Sequence, residues 1–308
     1  MTPRPDLATR VGPLELANPL MTASGTFGYG LEFAHLTALE RIGGLVTKGL
    51  SPEPILGNPS PRICETRGGM LNSIGLQNIG IDAYIDDVLP GLSQYPAKII
   101  VNLFGTTREQ YEGLARRVEG VPDIAALELN VSCPNVQRGG IEFGHDPQVL
   151  EELVAAVRQN TSKPIIVKLS PNVTSPVLIG EAARRGGADA LSCINTVLGM
   201  AIDADSRRPL LRRLKGGLSG PAIKPIALRI VYDVHREVGL PVSGIGGIES
   251  ARDVVEFLLA GASAVQVGTA LFRTPNAPVR ILEELETFLT DRNLAAVSDL
   301  IGALEPYD

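Results

Sequence analysis

The sequence predicts a (β/α)8 TIM barrel with insertions in its βα loops, built as a single domain over residues 1–308, and three observations lead there. Short β-rich segments alternate with longer helical patterns from one end of the chain to the other, the pattern of a parallel sheet with crossover helices. Eight such segments occur, most of them continuous apolar runs of the kind buried on both faces. The chain has 308 residues, 44% of them hydrophobic, against about 250 for a typical barrel, so the surplus belongs in insertions.

The elements follow in order. The first two β-segments, Pro19–Ala23 and Gly44–Lys48, are short apolar runs, the first leading into Ser24 and the second ending in Lys48. A first insertion spans Leu50 to about Asp82, where Ser-Pro-Glu-Pro-Ile-Leu-Gly-Asn-Pro-Ser-Pro is too proline-rich for a helix interior and leads into a Gly- and Asn-rich segment. Long irregular connections of this type are often functional. Ile99–Phe104 and Ala126–Asn130 are the third and fourth segments. Asp146-Pro147 then opens a helix through Leu150, Leu153, Val154 and Val157, with proline at an early position where its missing N–H costs least. Pro164–Leu169 and Ala190–Asn195 follow. A second insertion, Leu198 to Ser219, holds the one dense basic cluster, Arg207, Arg208, Arg212, Arg213 and Lys215, readable as a solvated loop, a lid or a partner contact. Pro241–Ile245, a helix around Ser250–Leu259, and Ala264–Val267 complete the pattern.

Composition narrows the function classes. A formal net charge of -6 gives no electrostatic footprint for nucleic acid, and 4% aromatic residues with no Trp gives no stacking platform for single strands. Cys64, Cys133 and Cys193 lack CxxC spacing, and His35, His145 and His235 are scattered, so neither a structural zinc site nor a disulfide framework is expected. The start, Met1-Thr2-Pro3-Arg4-Pro5-Asp6, is polar, and no later run approaches the roughly 18 to 20 apolar residues of a membrane span. A cytoplasmic protein with small-molecule or protein partners is expected.

In such a barrel the reaction centre is built from residues at the C-terminal strand ends and the loops after them. Those ends carry Ala23-Ser24-Gly25, Thr47-Lys48-Gly49, Asn102 with Gly105, Asn130 with Cys133, Lys168, Asn195-Thr196, Gly244-Ile245-Gly246-Gly247 and Gly268-Thr269. An isolated polar residue at a strand end means little, but the whole set is hard to read as packing. Gly246-Gly247 before a helix and Gly268-Thr269 after the last strand could converge backbone N–H groups on one anion, as phosphate sites after strands seven and eight do. Lys48 and Lys168 end apolar strands, where an ammonium is costly unless it meets an anion or an electron-rich ring. Leu129-Asn130-Val131-Ser132-Cys133-Pro134-Asn135 sets one thiol between two amides. Cys133 alone reads more readily as a packed structural cysteine, but beside Asn130 and Asn135, which can read the edge of a planar polar heterocycle, and among the other polar strand ends, it reads as a reagent.

With those residues in place the chain resembles the class 1 dihydroorotate dehydrogenases from about Leu14 to Leu271. The likeness rests on Thr22-Ala23-Ser24-Gly25, Thr47-Lys48-Gly49, Asn72-Ser73-Ile74-Gly75-Leu76-Gln77-Asn78, Asn130 to Asn135, Lys168-Leu169-Ser170-Pro171-Asn172, Asn195-Thr196 and Gly244 to Gly247. The resemblance implies one FMN per chain at the barrel mouth, its surroundings drawn from Ala23, Ser24, Gly25, Lys48, Gly49, Asn102, Asn130, Lys168, Ile194, Gly220, Gly246, Gly247, Gly268 and Thr269. It implies that Lys48, Asn72, Ser73, Ile74, Gly75, Leu76, Asn130, Asn135, Asn195 and Thr196 surround dihydroorotate. Cys133 would then be the base that removes the C5 proton while hydride leaves C6 for flavin N5. A thiol starts at a pKa of about 8.5, closer to neutral than a serine hydroxyl, and so suits that task. Class 2 enzymes use serine as base and carry an N-terminal extension, and the chain is expected to belong elsewhere.

Ile74 and Gln77, the segment Gln137 to Gly144, and Gly199-Met200-Ala201-Ile202-Asp203 look like class 1B. That likeness implies a homodimer core within a heterotetramer, passing electrons to a partner subunit with FAD and a [2Fe-2S] cluster and thence to NAD. Three scattered cysteines cannot ligate a cluster in this chain. The competing readings are a class 1A-type enzyme that reduces fumarate directly, a flavin-free Schiff-base lyase using Lys168, and a silent binding or scaffold subunit.

Overall fold

The computed structural model describes residues 4–132, 134–135 and 141–307. Eight strands close into a parallel barrel: β1 (Leu20–Thr22), β2 (Gly44–Val46), β3 (Lys98–Leu103), β4 (Ile124–Asn130), β5 (Ile165–Leu169), β6 (Ala190–Cys193), β7 (Val242–Ile245) and β8 (Ala262–Val267). Each pairs in parallel with its sequence neighbours, and β8 pairs with β1. Every strand falls on one of the eight apolar segments. β4 and β8 begin two residues earlier than expected, and β6 stops at Cys193, before Ile194 and Asn195 turn into the loop.

Among the described residues six longer helices cover the strands: α1 (Arg108–Glu119), α2 (Pro147–Arg158), α3 (Pro176–Arg185), α4 (Lys224–Val238), α5 (Ala251–Leu259) and α6 (Ala277–Asp291). Their starts are set by side-chain caps. Thr107, Asp146, Ser175 and Ser250 each accept backbone N–H groups of the first turn, and Asp253 completes a capping box with Ser250. α2 buries Val149, Leu150, Leu153, Val154 and Val157, the stripe that its periodicity marks. The first two crossovers depart from the ideal plan. Between β1 and β2 the chain makes two 3-10 turns, Leu31–Phe33 and Leu39–Arg41, in a stretch where Gly25, Gly28 and Gly30 all take positive φ. Between β2 and β3 a helical segment over 81–92 includes a π-helical turn, Tyr84–Val88.

The inside of the barrel is filled from below. Met21, Val46, Ile100, Ala126, Ile166, Ala190 and Ala264 form an apolar plug, and Val11, Leu14 and Leu16 of an antiparallel hairpin, Thr9–Val11 with Leu14–Leu16, close its N-terminal end. The open end is therefore the C-terminal one.

The two insertions are not irregular, as the proline content of the first suggested. Ile63–Thr66, Gly69–Asn72, Gly216–Ser219 and Val197–Gly199 form one antiparallel four-stranded sheet that draws on both insertions. Close approach fixes the joint: a Cβ on Gly69 would lie 1.9 Å from the Ser219 carbonyl oxygen. The basic cluster follows on a ribbon pairing Ile202–Asp203 with Arg208–Pro209. Its side chains are exposed, as a solvated segment requires, yet Arg212 N–H donates to the Pro61 carbonyl and Arg213 Nε to Asn58 Oδ1, tying the second insertion to the first. Among the described residues no helix is long and apolar enough to cross a membrane.

Candidate active site

A cleft opens at the C-terminal end of the barrel, lined at the ends of β1, β5, β6, β7 and β8 by Ala23, Ser24, Lys168, Ile194, Asn195, Thr196, Gly246, Gly247, Gly268 and Thr269, with Gly220 from the second insertion. All eleven are among the expected site residues. One end of the cleft is bare backbone. Gly247 has φ +71, and a Cβ there would lie 2.9 Å from both the Gly220 carbonyl oxygen and Lys224 Cβ; a Cβ on Gly246 (φ +135) would lie 2.9 Å from Ala227 Cβ. Opposite them Thr269 Oγ1 donates to Ser219 Oγ at 2.8 Å. Bare N–H groups and hydroxyls without a counter-charge suit an anion such as a phosphate.

The floor of the cleft is a layer of polar side chains above the apolar plug. Lys168 is 6% exposed, and its Nζ lies 3.7 Å from Oε1 of Glu128, which is fully buried. The same Oε1 accepts from Asn102 Nδ2 at 2.7 Å, and Oε2 accepts from Ser192 Oγ at 2.8 Å and Gln266 Nε2 at 2.7 Å. Asn102 Oδ1 is buried without a partner. Gly49 packs against it, since a Cβ there would lie 3.0 Å from that oxygen.

A second polar cluster lies beside the first. Asn195 Nδ2 donates to Ser132 Oγ at 3.0 Å and reaches Asn130 Oδ1 at 3.4 Å, while Thr196 N–H donates to Asn195 Oδ1 at 2.8 Å. Tyr111 OH donates to the Asn130 carbonyl at 2.7 Å and so fixes the end of β4 from outside. The insertion sheet brings Asn72 to the same place, because its Nδ2 donates to the Gly217 carbonyl, and Gly217 is so close to Thr196 that a Cβ would lie 2.1 Å from Oγ1. Ser73 to Leu76 are held by Asn58, which donates from Nδ2 to the Ser73 carbonyl and from its backbone N–H to that of Ile74. Gly75 (φ +75) and Leu76 (φ +57, 39% exposed) make the turn. Lys48 is half-buried, and burial, then the nearby Arg62 charge, push its ammonium below the usual lysine range, with Glu32 opposing.

The structure does not bring every expected residue to the cleft wall. Gly25 (φ +87) supplies a turn, with open space where a Cβ would point. Lys48, Gly49, Asn72 to Leu76, Asn102 and Asn130 lie outside the lining of the cleft. Cys133 lies outside the described residues, and Asn135 is described only in its backbone, paired with Ile141.

The dihydroorotate dehydrogenase family model matches residues 6–289. The chain belongs to the dihydroorotate dehydrogenase family. It is 57% identical over 302 residues to a Geobacter sp. (strain M21) protein named dihydroorotate dehydrogenase B (NAD(+)), catalytic subunit, covering 98% of this chain and 99% of that one. Proteins of the same name from Pelobacter propionicus and Geobacter sulfurreducens are 58% and 56% identical with the same coverage.

Within this dihydroorotate dehydrogenase family chain, the buried polar hub is what sequence reasoning missed. Glu128 and Gln266 interrupt the apolar strands Ala125-Ala126-Leu127-Glu128-Leu129 and Ala264-Val265-Gln266-Val267, and an ionisable residue in such a run was the available signal. Thr26, Ser219, Ile223 and Ile245 also line the cleft. Ser219 carried no local signal, because its position depends on pairing between the two insertions.

Proposed function

We propose that this chain oxidises dihydroorotate to orotate in de novo pyrimidine biosynthesis, as the FMN-binding catalytic subunit of a class 1B complex. The observation that carries the reading is the meeting at one barrel mouth of an anion cradle, a buried lysine and a cluster of amides. The residues fit FMN on independent grounds. Gly246, Gly247, Gly268 and Thr269 line one end of the cleft and offer backbone to a phosphate, and a side chain would not fit at Gly247 beside Gly220 or at Gly246 beside Ala227; the unpaired Asn102 Oδ1 is an acceptor awaiting a donor such as a ring N–H.

Bound FMN would supply the hydride acceptor. Lys168 would bring positive charge to the floor of the cleft, and Ala23, Ser24 and Ile194 would help to hold the flavin there. Lys48 holds the substrate carboxylate, and Asn72, Asn130, Asn135, Asn195 and Thr196 read the alternating N–H and C=O edge of the pyrimidine. Cys133 Sγ takes the C5 proton. Another strand-end thiol, Cys193, is fully buried, which pushes its ionisation up and leaves it unsuited to that work.

The relatives' name, an NAD(+)-linked catalytic subunit, supports a partner subunit; that the partner carries FAD and a [2Fe-2S] cluster, that the complex is a heterotetramer built on a homodimer of this chain, and that it works in the cytoplasm are part of the same proposal and rest on the class 1B resemblance alone. The salt bridge from Lys168 to Glu128 counts against a Schiff-base lyase, which needs a free amine at that position. Steady-state turnover with dihydroorotate tests the acceptor assignment. The purified chain should reduce neither NAD nor fumarate efficiently, and adding the electron-transfer subunit should confer NAD reduction. Efficient fumarate turnover by the chain alone would sink it.

A further inference from the structure

We propose that Glu128 is a positioning residue for the flavin end of the site, acting through Lys168 and Asn102. The inference rests on the flavin reading above and concerns a residue that reading does not use. A carboxylate with no solvent exposure in a barrel interior is costly unless its oxygens are matched by donors. Here the match is complete: β3 supplies Asn102, β6 Ser192 and β8 Gln266, and Lys168 of β5 stands 3.7 Å away. Five of the eight strands therefore meet at one group, one layer below the cleft. An apolar residue at this position would strand the donors of Asn102, Ser192 and Gln266 and the Lys168 ammonium, so what Glu128 adds to the barrel is the fixed placement of those four side chains.

Two consequences follow from the chemistry of a carboxylate. It only accepts, so Asn102 must present its NH2 downward, which fixes the amide and leaves Oδ1 as the free acceptor beside Gly49. It is also the counter-charge to Lys168, so the ring would meet a paired ammonium held in one place instead of a bare, mobile one. Reduction adds electrons to the ring, and an uncompensated cation beneath it would favour the reduced form. Glu128 thus sets both the hydrogen-bond pattern and the charge at the floor of the cleft.

The test is redox titration of FMN-loaded wild type, Glu128→Gln, Lys168→Met and the double variant, alongside KM for dihydroorotate. Glu128→Gln should raise the flavin midpoint potential, with the ratio of reduced to oxidised flavin affinity up about tenfold, ~30 mV for two electrons. KM should stay within twofold, because Lys48 and Asn72 belong to other elements. Lys168→Met should lower the potential, and the double variant, which restores a neutral floor, should return toward wild type. A folded Glu128→Gln protein with unchanged potential and altered thermal stability only would make Glu128 purely structural and overturn the proposal. Should Glu128→Gln fail to fold, a double variant whose potential equals that of Lys168→Met overturns it equally. Wild-type protein that takes up no FMN removes the flavin reading and this proposal together, whereas failure of the Glu128 arm alone leaves the flavin reading standing.

Discussion

Replacing Gly247 by alanine tests the anion cradle at its tightest point. At φ +71 an L-residue carries left-handed strain of about 1–2 kcal/mol. The new Cβ would also sit 2.9 Å from the Gly220 carbonyl oxygen and 3.0 Å from Pro221 Cα, both backbone, so neither neighbour can rotate away. The backbone of 246–248 must shift instead, and that shift moves the N–H groups off the anion. One charge-assisted hydrogen bond lost is worth about 1.5–3 kcal/mol, or roughly a tenfold to hundredfold fall in FMN affinity. Titration of apoprotein with FMN, read by quenching of flavin fluorescence, measures it. Gly239→Ala is the control, since Gly239 at the end of α4 has φ +74 with nothing within 4 Å of a Cβ, so that variant shares the strain without the clash. Gly247→Ala that binds FMN as tightly as Gly239→Ala would refute the reasoning.

Lys48→Ala should weaken orotate binding by tenfold or more while FMN affinity holds, and equilibrium titrations with each ligand check it. Because burial lowers the Lys48 ionisation, its charge is lost as pH rises at a lower pH than for an ordinary lysine, so orotate affinity should fall on the alkaline side before pH 10.5; affinity flat from pH 7 to 10.5 would exclude Lys48 as the carboxylate's partner. Cys133→Ala should keep the yellow flavin and bind orotate but lose turnover by about 10²- to 10⁴-fold, and wild-type kcat in that variant would remove the base assignment. Glu119 accepts from Ser162 and Thr161, which pulls its carboxyl down to about 2 from 4.5. Its contribution to stability is therefore present above pH 4.5 and lost as pH falls toward about 2. Thermal melts of Glu119→Gln and wild type should differ at pH 6 and draw together as pH falls toward 2, with an amplitude reduced by solvent screening because Glu119 is only partly buried.

The barrel was legible because its signals are local. An apolar run bounded by a cap or a glycine, such as Ile165–Leu169 or Val242–Ile245, declares a strand wherever it stands. The glycine cradle and Lys168 were legible for the same reason, being fixed by their places at strand ends. What sequence reasoning misjudged depends on pairing between distant segments. Prolines at 52, 54, 59 and 61 read as irregular chain, yet the strands that form the sheet begin after them at Ile63 and find their partner at Gly216–Ser219. Glu128 was passed over because the Ala126–Asn130 run was read for its apolar character, and its meaning emerges only when Asn102, Lys168, Ser192 and Gln266 close around it in three dimensions.

The absorption spectrum of the purified protein before and after anaerobic dihydroorotate bears most directly on the proposed activity. Oxidised flavin absorbance that bleaches on adding substrate, without NAD or partner subunit present, is the predicted result. A colourless protein, or a flavin that dihydroorotate leaves oxidised, would contradict it.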